Sequence, residues 1–108
     1  MINVLVVEAD SDTRLLVKVA LAPLAGSVSE AEDGAEALGK VICEPPALIV
    51  TEVRLPRIDG VTLCGLLRRN PTTAGARIVV VTGAAAPTVI AGSAADRLNG
   101  NILRGKSR

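Results

Sequence analysis

Histidine and all three aromatic residues are absent from this chain of 108 residues. Without histidine, the chain cannot use an imidazole for acid–base catalysis, for metal binding or for carrying a phosphoryl group. Without Phe, Tyr or Trp, the core must be built from Val, Leu, Ile and Ala, and hydrophobic residues make up 49% of the sequence. A chain of this length is expected to form one domain, which we assign to residues 1–108.

Cysteine and net charge are also low, and the sequence has no long apolar run. Twelve basic and eleven acidic residues give a net charge of +1, which does not indicate a nucleic-acid partner. Cys43 and Cys64 lack CxxC spacing and fall on apolar helical patterns, so both are predicted to be reduced core residues. No apolar run reaches the roughly 18 residues that a membrane span needs, and no signal peptide is visible. We therefore expect a cytoplasmic protein that binds neither membranes nor nucleic acid.

The apolar runs predict five strands that alternate with helices. The predicted strands are three aliphatic runs at residues 4–7, 48–51 and 78–81, a half-polar edge strand at 27–31 and a short segment at 101–103. The first helix is predicted to be capped by Ser11 or Asp12. Its predicted core-facing side consists of apolar residues at helical spacing, namely Leu15, Leu16, Val19, Ala20 and Leu24.

Turn and capping residues place the remaining helices. Asp33 and Glu36 form a capping box, and Asp59 precedes the third helix. Pro87 suits the first turn of a fourth helix, whose predicted apolar side is Val89, Ile90, Ala94 and Leu98. The strict alternation of strand and helix predicts an α/β fold with a doubly wound parallel sheet. The chain ends before a helix that would follow the fifth strand.

Polar residues follow the predicted strands at one edge of this sheet. Glu8, Glu52, Thr82 and Arg104 come directly after strands one, three, four and five. Ligands of open α/β sheets bind where the carboxyl ends of the strands meet, so these groups would suit an anion or a metal ion. The alternative is that strand ends are polar only because they meet water.

A nucleotide-binding module on the same fold is a further alternative. The stretch between strand one and helix one contains no glycine-rich phosphate loop. It instead carries Glu8 and Asp10, whose charges would repel phosphate. This alternative is therefore disfavoured.

Four segments together resemble the successive motifs of response-regulator receiver domains, and the resemblance covers the chain up to Arg104. These segments are Val4-Leu5-Val6-Val7-Glu8, Glu32-Asp33-Gly34-Ala35-Glu36-Ala37-Leu38, Leu55-Pro56-Arg57-Ile58-Asp59-Gly60 and Val79-Val80-Val81-Thr82-Gly83. The resemblance implies a flavodoxin-like sheet with strand order 2-1-3-4-5 and, here, no closing helix. It also implies a signalling module rather than an enzyme.

Members of this family carry an Asp after strand three that accepts a phosphoryl group from a histidine kinase. In this chain Glu52 occupies that phospho-acceptor position. Thr82 matches the hydroxyl residue that contacts the phosphoryl group, and Arg104 stands where a Lys is expected. Asn101 stands where the family has a switching aromatic residue.

The family also binds Mg²⁺ through two acids after strand one. Glu8 matches the first acid, but Ala9 replaces the second, and Asp10 lies one residue further on. The resemblance implies that Glu8, Glu52 and the backbone carbonyl of Arg54 would form the metal site. Because Ala9 offers no carboxylate, we expect this site to be weak or absent.

These departures lead to two hypotheses for function. In the first, the chain is an atypical stand-alone receiver that is not phosphorylated and acts by contacting a histidine kinase or a downstream signalling protein. Glu52 then either mimics the phosphorylated state or fills a decayed site. In the second, the chain is a working phospho-acceptor or phosphate sink that uses Glu8, Asp10 and Mg²⁺.

The missing closing helix would uncover apolar surface beside strands three to five, which predicts a homodimer or a partner helix at that face, unless the chain is a fragment of a longer protein.

Overall fold

A computed structural model describes residues 1–81 and 88–90 of the chain. In order, the described elements are β1 (Ile2–Val7), α1 (Ser11–Leu21), β2 (Ala25–Ala31), α2 (Gly34–Cys43), β3 (Leu48–Glu52), α3 (Gly60–Arg69), β4 (Arg77–Val81) and β5 (Thr88–Ile90). The strands form one sheet in the order β2-β1-β3-β4-β5, and the first four run parallel. This confirms the predicted α/β class and the order 2-1-3-4.

The strand β5 differs from the sequence-based expectation. Thr88, Val89 and Ile90 pair antiparallel with β4, where the sequence predicted the first turn of a fourth helix. All three residues are branched at Cβ, which restricts their rotamers in a helix and favours an extended backbone. The rest of that predicted helix and the predicted strand at 101–103 lie outside the described residues.

Two apolar clusters lie on opposite faces of the sheet. Leu5, Ile49 and Ile78 belong to the larger cluster, which α2 and α3 cover with Ala37, Val41, Leu63 and Leu67. Val4, Val6 and Val50 form the smaller cluster on the face that α1 covers. The strands therefore bury both faces, as their unbroken aliphatic sequences predicted.

The helix α1 packs through a different side from the predicted one. Val17 and Leu21 pack against the smaller cluster, whereas the predicted core-facing residues Leu15, Leu16, Val19, Ala20 and Leu24 are exposed. The prediction was wrong because α1 carries apolar residues on several sides, so periodicity alone does not select the buried one. The N-cap is also one or two residues earlier than predicted, since Asp10 takes this role instead of Ser11 or Asp12.

The caps of α2 and α3 agree with the sequence. The carboxylate of Asp33 accepts a hydrogen bond from the Glu36 amide at 2.8 Å, and Asp59 accepts from the Thr62 amide at the same distance. Glu36 reaches back to the amide of Glu32, also at 2.8 Å. The bonds to Asp33 and Asp59 satisfy amides of the first turn that have no partner within the helix, whereas the bond to Glu36 holds the residue before the N-cap.

The two cysteines have different environments. Cys64 is fully buried, as predicted, and burial raises the pKa of its thiol to about 11. Cys43 is exposed at the end of α2, so its assignment to the core was wrong. An apolar pattern near the last turn of a helix therefore does not ensure burial. Among the described helices, none has the length and apolar character needed to cross a membrane.

Candidate functional site

The site is organised by the parallel register of β1, β3 and β4. Val7 of β1 pairs with Thr51 of β3. Glu8 and Glu52 are the next residues after this pair, so they lie side by side at the carboxyl ends of two adjacent strands. Glu52 in turn pairs with Val81, the last residue of β4. The structure therefore brings Glu8 and Glu52 to one edge, as predicted, while Thr82 and Arg104 lie outside the described residues.

The carboxylate of Glu52 turns back towards the main chain that follows it. Its Oε2 accepts hydrogen bonds from the amides of Val53, at 3.0 Å, and Arg54, at 3.3 Å. The Val53 amide is shared, since it also donates to the Val81 carbonyl at 3.1 Å. Successive backbone amides that point to one place form a concavity suited to an anion, and here the chain's own carboxylate contacts it.

The acids after β1 are used in local hydrogen bonds. Glu8 accepts a bond from the Asp10 amide through Oε2 at 2.9 Å. Oδ2 of Asp10 accepts bonds from the Thr13 hydroxyl at 2.7 Å and the Thr13 amide at 2.8 Å. These two bonds from Thr13, the hydroxyl first, lower the pKa of Asp10. The carboxylate of Asp10 is thus an N-cap that holds the first turn of α1.

The turn between β3 and α3 is held tightly against the strand end. The amide of Gly60 donates to the Val53 carbonyl at 2.7 Å. A Cβ added to Gly60 would lie 2.3 Å from the carbonyl oxygen of Glu52 and 2.9 Å from the Cα of Val53. Only glycine therefore allows α3 to start this close to the Glu52 backbone.

The same turn is fastened to the start of α2 by an ion pair. Arg57 has a φ of 68°, in the left-handed region that side chains other than glycine rarely adopt. Its guanidinium donates to both carboxylate oxygens of Asp33 at 2.9 Å. The Glu36 amide and then Arg57 lower the pKa of Asp33. The contact connects two of the four recognised sequence motifs.

Arg14 is a residue of this region that the sequence analysis missed. Its Nη1 donates to the backbone carbonyl of Glu8 at 2.7 Å, and its Nε donates to Glu30 on β2 at 2.8 Å. Lys18, one turn later, donates to the other oxygen of Glu30 at 2.6 Å. The sequence did contain a sign of this role. Arg14 and Lys18 are four residues apart, so they share one side of the helix that follows the acidic end of the first strand.

The donor atoms near Glu52 do not assemble into a metal cluster. Across the parts of the chain that the structure describes, no three acidic or cysteine side chains come together in a way that could hold a metal ion. Ala9 supplies no side-chain oxygen, and one oxygen each of Asp10 and Glu52 already accepts two hydrogen bonds.

An open cavity of about 620 Å³ lies elsewhere, beside α2. Its lining includes Asn3, Ser29, Lys40 and Cys43 but neither Glu8 nor Glu52. Asn3 belongs to the start of β1, whereas the acids lie at the carboxyl end of the sheet. We therefore assign this cavity no part in the site.

Comparison with known proteins identifies the family to which this chain is similar. The family model described as the response regulator receiver domain matches residues 4–102. A gliding motility regulatory protein of Myxococcus xanthus is 33% identical over 86 residues, which are 80% of this chain and 11% of that protein. A probable chemotaxis protein CheY of Rhizobium etli is 29% identical over 82 residues, which are 75% of this chain and 64% of that protein. The chain therefore spans less than two thirds of either relative.

Solved structures of related domains have the same fold as this chain. A putative response regulator from Chloroflexus aurantiacus has a TM-score of 0.69 at 31% identity, and the match covers 74% of this chain and 66% of the other. The signal receiver domain of a signal transduction histidine kinase from Syntrophus aciditrophicus has a TM-score of 0.75 at 18% identity, covering 100% of this chain and 81% of the other. The parallel sheet, with Glu8 and Glu52 at adjacent strand ends, agrees with these matches. The match of the family model to residues 4–102 shows that the chain belongs to the receiver domain family of two-component signalling.

Proposed function

We propose that this receiver domain acts through protein–protein contacts without being phosphorylated at Glu52. The observation that carries this proposal is the contact of the Glu52 carboxylate with the amides of Val53 and Arg54. A negative charge already lies on the backbone donors at the position where the family carries its phospho-acceptor. The ordered contact favours mimicry of a charged state over a site that has merely decayed.

The chemistry of phosphoryl transfer also argues against phosphorylation here. Glutamate is one methylene longer than aspartate, and an in-line transfer is sensitive to a displacement of about 1 Å. Mg²⁺ requires a near-octahedral shell of oxygen ligands with one or two carboxylates. With Ala9 in place of an acid and Asp10 used as a helix cap, the remaining donors do not fit this ion. We therefore propose a signalling module with no catalytic residue and no metal cofactor.

Acetyl phosphate with Mg²⁺ provides the test. The wild-type chain and Glu52→Gln are incubated with both, quenched and analysed by intact-mass spectrometry. We expect no phosphoryl adduct on either chain, because Ala9 offers no carboxylate for Mg²⁺ and Asp10 caps α1. A stoichiometric adduct on the wild type that is lost in Glu52→Gln would contradict the proposal.

The rival function, a phospho-acceptor or phosphate sink, needs Asp10 to leave its capping role and bind Mg²⁺. The two hydrogen bonds that it accepts from Thr13 oppose this movement. Calorimetric titration with Mg²⁺ distinguishes the two functions. Binding that disappears in Asp10→Asn, which retains a good N-cap, would favour the rival.

The partners that we propose are proteins, either a histidine kinase or a downstream signalling protein. We propose neither a nucleic-acid nor a membrane partner. The homodimer predicted at the sheet face beside strands three to five stays a prediction. On the described part of that face Val50 is only 6% exposed, while Leu48, Val79 and Val81 are half-buried.

A further inference from the structure

The strand β2 forms one edge of the sheet, since among the described strands only β1 pairs with it. The amide of Glu8 donates to the Ala31 carbonyl, so the backbone groups of Ala31 face β1. The backbone polar groups of successive residues point to alternate sides of a strand, so those of Val28 and Glu30 face away from the sheet. A row of outward-facing amides and carbonyls is a template on which another strand can pair.

Lys40 of α2 covers part of this edge. Its ammonium group donates a hydrogen bond to the backbone carbonyl of Glu30, which is one of the outward-facing groups. The same ammonium group lies 3.3 Å from the carboxylate of Glu36, one turn earlier on α2. The lysine therefore places a positive charge on the side of β2 where a further strand would lie.

The residue that Lys40 contacts is held from both faces of the sheet. The helix α1 covers one face and α2 covers the other. Arg14 and Lys18 of α1 contact the carboxylate of Glu30, whereas Lys40 of α2 contacts its carbonyl. The side-chain contacts fix Glu30 on the α1 side, and its carbonyl points out at the edge, where Lys40 reaches it.

Pairing of another strand with this edge would displace Lys40. The incoming strand needs the Glu30 carbonyl as an acceptor, so the ammonium group would have to leave it or become buried beside it. Burial of a charge without a full set of partners is unfavourable. Lysine at the edge of a sheet is one of the means by which proteins prevent such pairing.

We propose that Lys40 closes the edge of β2 against pairing with β2 of a second copy. Antiparallel pairing centred on Val28 would place Glu30 of each copy opposite Gly26 of the other. The strand itself therefore opposes no like charges across this pairing, and the barrier comes from Lys40. The contact does not involve Glu52, so this proposal and the proposed lack of phosphorylation can fail independently.

Lys40→Met is the variant that opens the edge. Methionine keeps an unbranched side chain and a high helix propensity but has no ammonium group. Lys18→Met is the matched control, because it also removes one positive charge and one contact with Glu30, but that contact is with the carboxylate. Lys40→Arg keeps a charged donor at the edge. Lys40→Ala is a second uncharged variant, and circular dichroism checks that all four are folded.

Two measurements follow each protein between about 10 µM and about 1 mM. Sedimentation velocity measures association, and hydrogen exchange followed by NMR measures the protection of the outward-facing Val28 amide. We expect Lys40→Met to associate with a dissociation constant at least about tenfold below that of the wild type, and its Val28 amide to exchange more slowly as the concentration rises. In the wild type, Lys18→Met and Lys40→Arg, the exchange of this amide should not depend on concentration.

Three outcomes would overturn the proposal. Lys40→Met and Lys40→Ala could associate no more strongly than the wild type. Lys18→Met could associate as strongly as Lys40→Met, which would attribute the effect to net charge. Association of Lys40→Met could leave the exchange of the Val28 amide unchanged, which would place the contact at a surface other than the edge of β2.

Discussion

At the scale of single residues, the backbone contacts of Glu52 show where its charge lies. The carboxylate turns back onto the amides of Val53 and Arg54. These donors lie in a turn that Gly60 and Arg57 hold in place. Backbone donors of this turn therefore contribute to holding the charge in place.

Glu30 gives a prediction about pH at the same scale. Hydrogen bonds from Lys18 and then Arg14 lower its pKa below the ordinary value of 4.5. A lowered folded-state pKa means that the stabilisation is complete above the ordinary value and is lost as the pH falls through the folded-state pKa. We expect Glu30→Gln to lower the free energy of unfolding at pH 7 and to weaken its decline in acid.

Urea unfolding at about pH 7 and about pH 3.5 measures this effect. Because the Glu30 side chain is 39% exposed, solvent screening limits the loss at neutral pH to about 1 kcal/mol. Glu44→Gln is the control, since the Glu44 carboxylate makes no ion pair with any described residue. Equal acid sensitivity of wild type and Glu30→Gln would show that the ion pairs of Glu30 contribute nothing.

At the scale of elements, the junction between β3 and α3 determines the shape of the site. Gly60 lies against the backbone of Glu52 and Val53, and Gly34 at the start of α2 lies against Ile58. A Cβ on Gly34 would lie 2.3 Å from the Ile58 carbonyl oxygen. The two helix starts and the turn therefore form one packed unit against the backbone that follows β3.

Glycine substitutions test this packing. We expect Gly60→Ala to lower the free energy of unfolding by about 1–3 kcal/mol, because its Cβ would overlap the backbone of β3. Gly39→Ala is the matched change in the middle of α2, where an added Cβ meets nothing within 4 Å. That variant should gain about 0.5–1 kcal/mol. Chemical denaturation measures both, and a neutral Gly60→Ala would refute the close approach.

The elements also show where sequence patterns predict well and where they do not. The strands and the caps at Asp33 and Asp59 follow from local rules, because unbroken aliphatic runs and capping residues act over a few positions. The buried side of α1 could not be predicted, since its apolar residues surround the helix and only tertiary packing selects Val17 and Leu21. The strand at Thr88–Ile90 was missed because the pattern of apolar residues there also fits a helix.

At the scale of the whole molecule, topology predicts which residues meet but not how they bond. Parallel strand order is enough to place Glu8 beside Glu52. The turn of Glu52 towards its own backbone, the capping role of Asp10 and the bond from Arg14 to Glu8 all depend on rotamers and on loop geometry. The family assignment was therefore predictable from motifs, whereas the arrangement of the acids required coordinates.

The central claim is that the Glu52 carboxylate, without an added phosphoryl group, already lies on the backbone donors at the phospho-acceptor position. The most direct test follows the amide signals of Val53 and Arg54 by NMR while beryllofluoride, a phosphoryl analogue, is added with Mg²⁺. We predict that both signals stay where they are, because the carboxylate accepts from both amides before any ligand is added. A saturable shift of both signals in the wild type, absent in Glu52→Gln, would contradict the account.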